Sequence, residues 1–172
     1  INESKILKES RLREHQYTTF LEDIILHNSL SLREVETYIR YLEIHYTLSR
    51  GQGLGSYANV YALLYMLSVF IFVFKKEIYH KIINKESDAF ELSSLVGITN
   101  YQSEIDKSKS SSSQIIAALV HIAFRYKDIN INQDELNNWK YYFNGFFQDE
   151  GNMLSELYVF FTDEFRKLQL QL

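Results

Sequence analysis

Apolar residues recur along this chain at intervals of three and four, the mark of helices that bury one face. Tyr17, Phe20, Leu21, Ile24 and Ile25 predict a first helix over about residues 3–26, with a more polar early part from Lys5 to Arg13. His27-Asn28-Ser29 breaks it. Ser31 opens the second helix. Ser31 and Glu34 form an S-x-x-E capping box, in which each side chain satisfies a backbone N–H of the other residue. Leu32, Val35, Ile39, Leu42 and Tyr46 are the expected inward stripe. Arg33, Glu36, Arg40 and Glu43 fall on or near another face, at spacings that permit ion pairs. The glycine-rich turn Gly51-Gln-Gly-Leu-Gly55 follows.

Ser56 to about Asn84 is the longest predicted element. Roughly 28 residues of helix span about 42 Å, a length that admits a kink or a break. Leu63, Leu64, Leu67, Phe70, Ile71 and Phe74 leave it little polar surface, so it is expected at the centre of the fold. A short helix over about Asp88 to Val96 ends at Gly97. Residues 103–113 are polar and serine-rich, and read as an exposed loop. Ser111 to Gln114 cap a helix over about 112–126, with Ile115, Ile116, Leu119, Ile122 and Ala123 inward. Asn132-Gln-Asp-Glu135 opens another, to about Asn144, carrying Leu136, Trp139, Tyr142 and Phe143. The last runs over about Asn152 to Leu168, with Leu154, Leu157, Phe160, Phe161, Phe165 and Leu168. No stretch alternates as a half-buried strand does. The expected fold is all-α: one domain over 1–172, an irregular bundle of about seven helices around one long apolar central helix.

Composition agrees. The chain has no proline, so nothing forces frequent helix breaks, and no cysteine, so disulfides and thiolate metal sites are excluded. With 13 Tyr and 12 Phe, wide apolar faces need covering, whereas a net charge of -4 offers no general attraction to nucleic acid. A start at Ile1, with no basic and apolar leader, suggests a piece of a longer protein.

Candidate chemistry is sparse. Tyr57 to Phe74 is 18 residues, just enough to span a bilayer. Tyr57, Tyr61, Tyr65 and Ser68 nevertheless set a semi-polar stripe at helical spacing, which favours a core helix whose hydroxyls find partners. Gly51 to Gly55 lacks the strand and the Gly-Lys-Ser/Thr of a phosphate loop, and reads as a helix–helix turn. His15, His27, His45, His80 and His121 form no H-E-x-x-H, so no metal site is expected and most should sit at or near the surface. Arg40 and His45 have the R-x4-H spacing of HEPN-type ribonucleases. Five helical positions put them about 140° apart, and Tyr41 stands where that family has a polar residue.

A second resemblance is broader. Ser31-Leu32-Arg33-Glu34, followed by an apolar helical pattern and later by Phe74-Lys75-Lys76-Glu77-Ile78-Tyr79, resembles the C-terminal helical region of KAP-type P-loop NTPases over about residues 15–95. That family is one of predicted ATPases, several of them membrane-associated or tied to phage exclusion. The resemblance implies a helical lid or adaptor packed against an upstream P-loop core that binds ATP and Mg. It matches Arg33 to the lid arginine that reaches nucleotide phosphates in related ATPases, a role suited to an always-charged guanidinium. Nothing in these 172 residues supplies a G-x4-G-K-S/T segment, so the chain alone should neither bind ATP tightly nor hydrolyse it. A cytoplasmic location follows, with the inner face of a membrane left open. The aromatic surplus keeps a plain protein-interaction module, with a protein partner or a second copy, as a further reading.

Overall fold

The computed structural model describes residues 15–48, 58–99, 111–125, 134, 137, 143 and 153–170. Every regular element among them is helical: α1 (His15–His27), α2 (Leu32–Leu48), α3 (Ala58–Phe74), α4 (Lys76–Ile83), α5 (Ala89–Ser94), α6 (Ser112–Arg125) and α7 (Met153–Gln169). The all-α expectation holds. Asp134, Asn137 and Phe143 are also helical, and Phe143 is buried, but the rest of the helix expected over 132–144 lies outside the described residues. So do residues 3–14, Gly51 to Gly55, and 103–110 of the serine-rich segment.

Sequence accounts for most helix ends. Ser31 and Glu34 make both bonds of their capping box: the Ser31 N–H donates to Glu34 Oε2 at 2.8 Å and the Glu34 N–H to Ser31 Oγ at 3.4 Å. The carboxylate of Asp88 caps α5 by accepting from the Glu91 N–H at 2.9 Å. Ser111 and Gln114 repeat the reciprocal arrangement at α6, at 3.0 and 3.3 Å. That helix begins within the stretch expected to be an exposed loop. Ser112 and Ser113 are buried there, and the Ser113 hydroxyl donates to the Asp23 carboxylate of α1. Beyond α5 the chain reverses at Gly97, whose φ of +80° is a left-handed turn that favours glycine.

The long central helix is a correction. The expected rod over 56–84 is two helices that meet at Lys75, which has φ -124° and ψ 61°. The apolar part, α3, has 17 residues, no more than α2 or α7. The break has a physical reason. The sequence changes at Lys75-Lys76-Glu77 from apolar on all sides to apolar on one, so the second helix needs only one face against the core. With the break at Lys75, Ile78 and Ile82 of α4 are buried and Tyr79 packs on Phe72 and Phe165.

From Val60 to Ile71 only Tyr61 and Tyr65 of α3 keep appreciable exposure. It packs against α1, α2, α4, α6 and α7, and α5 sits across α6. Aromatic residues fill two regions of this core. Tyr38, Phe70 and Phe74 form one between α2 and α3, with ring centroids 5.6–6.3 Å apart. Phe72, Tyr79, Phe161 and Phe165 form the other, where α3, α4 and α7 meet. Each such pair contributes about 0.5–1.5 kcal/mol beyond its area burial. Much of the aromatic surplus is therefore consumed inside the fold. Among the described residues no helix is long and apolar enough to cross a membrane.

Candidate functional site

The second helix carries the residues singled out by sequence, and its orientation decides what they can do. The expected stripe was Leu32, Val35, Ile39, Leu42 and Tyr46. The buried line is instead Tyr38, Leu42 and His45, at 0%, 7% and 0% exposure, whereas Leu32 is 68% exposed. The helix is thus rotated from its expected stripe. The hydroxyl and ring nitrogen that this buries both find partners, which removes the desolvation cost that otherwise keeps them out. Tyr38 donates its hydroxyl to the Met66 carbonyl of α3 at 2.7 Å. His45 lies flat on Tyr65, ring centroids 4.7 Å apart and planes 17° from parallel. The Tyr65 hydroxyl returns to α2, donating to the Leu42 carbonyl at 3.1 Å.

The other end of the His45 interaction is on α7. Nε2 of His45 is 2.7 Å from Oε2 of Glu164, and Oε1 of the same carboxylate accepts from Nζ of Lys167 at 2.6 Å. An ionised carboxylate is acceptor-only, so Nε2 carries the proton and donates. Burial pushes the Glu164 carboxyl up, but the hydrogen bonds from His45 and Lys167 together outweigh it and hold it below its ordinary value. Burial also raises both tyrosines. For Tyr65 the nearby Glu164 charge adds to the effect, so these hydroxyls stay neutral donors.

The cluster is a structural tie between α2, α3 and α7. Each carboxylate oxygen of Glu164 has its own cationic or N–H donor. The His45 ring is closed off from solvent, and a general acid or base must reach the proton it transfers. Arg40, the other half of the R-x4-H spacing, is exposed. The two residues occupy opposed environments and the fold does not bring them into one site. Most histidines were expected at or near the surface: His27 and His80 are exposed, and His45 and His121 are buried. His121, on α6, is 3.2 Å from the Ser93 hydroxyl of α5 and packs edge-on against Phe90. Ser93 donates to the Phe90 carbonyl at 3.2 Å. That serine and histidine are 0% and 2% exposed, so they pin α5 to α6 rather than meet a substrate.

Arg33 has a different setting. It sits in the first turn of α2, exposed, just past the capping box. Its carbonyl accepts the Thr37 hydroxyl at 2.8 Å, while its guanidinium joins no ion pair among the described residues. The Glu34 carboxyl beside it is held below its ordinary value by the Ser31 hydroxyl and N–H. Among the described residues no three His, Asp or Glu side chains are grouped to hold a metal ion.

Comparison with protein-family models, curated proteins and solved structures gives no match to this chain.

Sequence reasoning missed His45 and Glu164 as partners. One local signal was present: positions 38, 42 and 45 follow the helical i, i+4, i+7 rule as well as any aliphatic set does. Besides Leu42 its members are a tyrosine and a histidine, and histidine is read from its type as lying at or near the surface.

Proposed function

We propose that this chain is a helical adaptor without catalysis of its own, and that α2 is the helix it presents to a partner. The observation that carries the reading is the division of α2 into two faces. Its ionisable and hydroxyl groups on the inner side are committed to holding the fold, through Tyr38 and His45. Its outer side displays Arg33, Glu36 and Arg40 to solvent. A charged, uncovered helix face on a firmly anchored scaffold suits recognition, because little order must be gained on binding.

The resemblance to KAP-type NTPases supplies the partner class. The adaptor would pack against a P-loop core encoded upstream, with ATP and Mg held by that core and Arg33 offered to the nucleotide phosphates. A guanidinium in the first turn of a capped helix is well placed for this, since its backbone is fixed and its head is free to reach a phosphate. The work would then be cytoplasmic, with no nucleic acid involved.

The test begins with the reading frame ahead of Ile1, which must encode a G-x4-G-K-S/T segment. In the protein so defined, Arg33→Ala should lower ATP hydrolysis at least tenfold while leaving nucleotide binding within about threefold. A frame without the segment, or a variant that hydrolyses ATP at the parent rate, overturns the ATPase reading. Hydrolysis of ATP or cleavage of RNA by the 172-residue chain itself overturns the adaptor reading as well.

A further inference from the structure

The outer face of α2 carries a charge pattern that is its own complement. At about 100° per residue, Arg33, Glu36, Arg40 and Glu43 all fall within about 40° of the line opposite the buried Tyr38. Leu32 and Ile44 border that stripe, one on each side. A two-fold axis that runs across the outer face at the level of Tyr38, perpendicular both to the helix and to the line joining the two copies, brings position 33 of one copy level with 43 of the second, and 36 level with 40. It makes two copies of α2 antiparallel. Arg33 of one copy then lies beside Glu43 of the second and Glu36 beside Arg40, with Leu32 and Ile44 on opposite flanks of the charges. Because the operation is a two-fold, each pairing occurs twice. A parallel two-fold does the reverse and sets each charge against its own kind.

The structure leaves this stripe available. Arg33, Glu36 and Arg40 are exposed, and Glu43 and Ile44 are half-buried. None of the four charges is in an ion pair among the described residues. Leu32 is 68% exposed and Leu26, at the end of α1 beside the same elbow, is 73% exposed. Among the described helices α2 packs chiefly on α3, on the side away from the exposed Arg33, Glu36 and Arg40.

We propose that α2 pairs antiparallel with α2 of a second copy of this chain, through the ion pairs Arg33–Glu43 and Glu36–Arg40, each made twice. One helix face buries less than the roughly 1,200–2,000 Å² of a standard interface, and exposed ion pairs are individually weak. The pairing is therefore reversible and salt-sensitive. It goes beyond the ATPase reading and does not rest on it. Arg33 cannot serve a phosphate and Glu43 of a second copy at once, so a core that engages Arg33 competes with the pairing.

The test is sedimentation equilibrium of the 172-residue chain up to about 1 mM, at about 0.01 M and 1 M salt, across which the Debye length falls from about 30 to 3 Å. A monomer–dimer equilibrium that weakens with salt is expected. Arg40→Glu and Glu36→Arg should each weaken it at least about tenfold, since each turns two attractive contacts into repulsive ones. An equimolar mixture of the two variants should associate again at about the parent affinity, because the altered chains are complementary to each other. Circular dichroism checks that both variants keep the parent helix content. A parent chain that stays monomeric at low salt overturns the proposal. So does a dimer that neither reversal weakens, or a mixture that associates no better than its components.

Discussion

Replacing Glu164 by leucine tests whether the tie between α2 and α7 holds the fold. Leucine removes both carboxylate oxygens, so His45 loses its acceptor at 2.7 Å and Lys167 its acceptor at 2.6 Å. The two losses differ in size. Lys167 is 49% exposed and is rehydrated at little cost, on the order of 0–1 kcal/mol. His45 is fully buried, and a hydrogen bond to a charged partner contributes about 1.5–3 kcal/mol. His45 escapes the larger penalty of an orphaned buried charge, because imidazole can remain neutral. The added apolar volume of leucine returns part of the loss, for a net cost of about 2 kcal/mol at neutral pH. For a chain of this size that is a fall in Tm of about 4–8 °C. The pH dependence gives a second handle. The folded Glu164 carboxyl lies below its ordinary value. Its contribution is therefore complete above the unfolded carboxylate pKa and is lost as pH falls through the folded one. Urea titrations of both proteins should show a gap of about 2 kcal/mol at neutral pH that closes toward acid. Adding His45→Phe keeps a ring on Tyr65 and removes the group left unpaired. The double variant should then cost at least about 1 kcal/mol less than the sum of the single ones. A gap under about 0.5 kcal/mol at neutral pH, or one that stays constant down to acid, refutes the reasoning.

Four further substitutions probe the fold. Tyr38→Phe removes the hydroxyl that donates to the Met66 carbonyl while keeping the ring against Phe70 and Phe74; chemical denaturation should register a loss of about 1–2 kcal/mol. Leu32→Ala, at a residue 68% exposed, should change stability by less than about 0.5 kcal/mol, whereas Leu42→Ala, at 7%, should cost about 2–5 kcal/mol; equal effects would return the helix to its expected stripe. Gly97→Ala places a Cβ into the His27 ring at a backbone φ of +80°. Even with His27 swung aside into solvent, the left-handed backbone should cost about 1–2 kcal/mol in thermal unfolding.

Much of the fold was legible in the sequence because the signals were redundant. The capping pairs Ser31/Glu34 and Ser111/Gln114 stand where the apolar period begins, so propensity, caps and burial agree. In α7 every position that predicts an inward face is wholly or partly buried. Two readings went astray: the expected stripe of α2 passed over Tyr38 and His45, and residues 56–84 were taken as one element. At Lys75 the chain goes from a helix buried on all sides to one buried on a single face. A window that averages across the change sees one element where there are two. Of the serine-rich stretch only the last residues, where a helix was also expected to begin, are described. Composition made 103–113 read as exposed, yet Ser112 and Ser113 are buried because Asp23, on another helix, is there to receive a hydroxyl.

The candidate site shows why residue type alone decides so little in a chain like this. A histidine in a helix can face water, hold a metal, act on a substrate or brace a core, and its neighbours in sequence do not distinguish these. His45 is assigned to the core by Glu164, 119 positions away, on a helix whose own pattern gives no hint of it. That partner removes His45 from the R-x4-H reading, since a ring sealed between Tyr65 and a carboxylate has no free edge to offer a phosphodiester. Burying Tyr38 and His45 also turns the opposite side of α2 outward, and that side holds Arg33, Glu36, Arg40 and Glu43. The inner polar residues and the outer charges are therefore one decision in the folding of α2: partners on α3 and α7 for the first set leave the second set facing whatever approaches from solution.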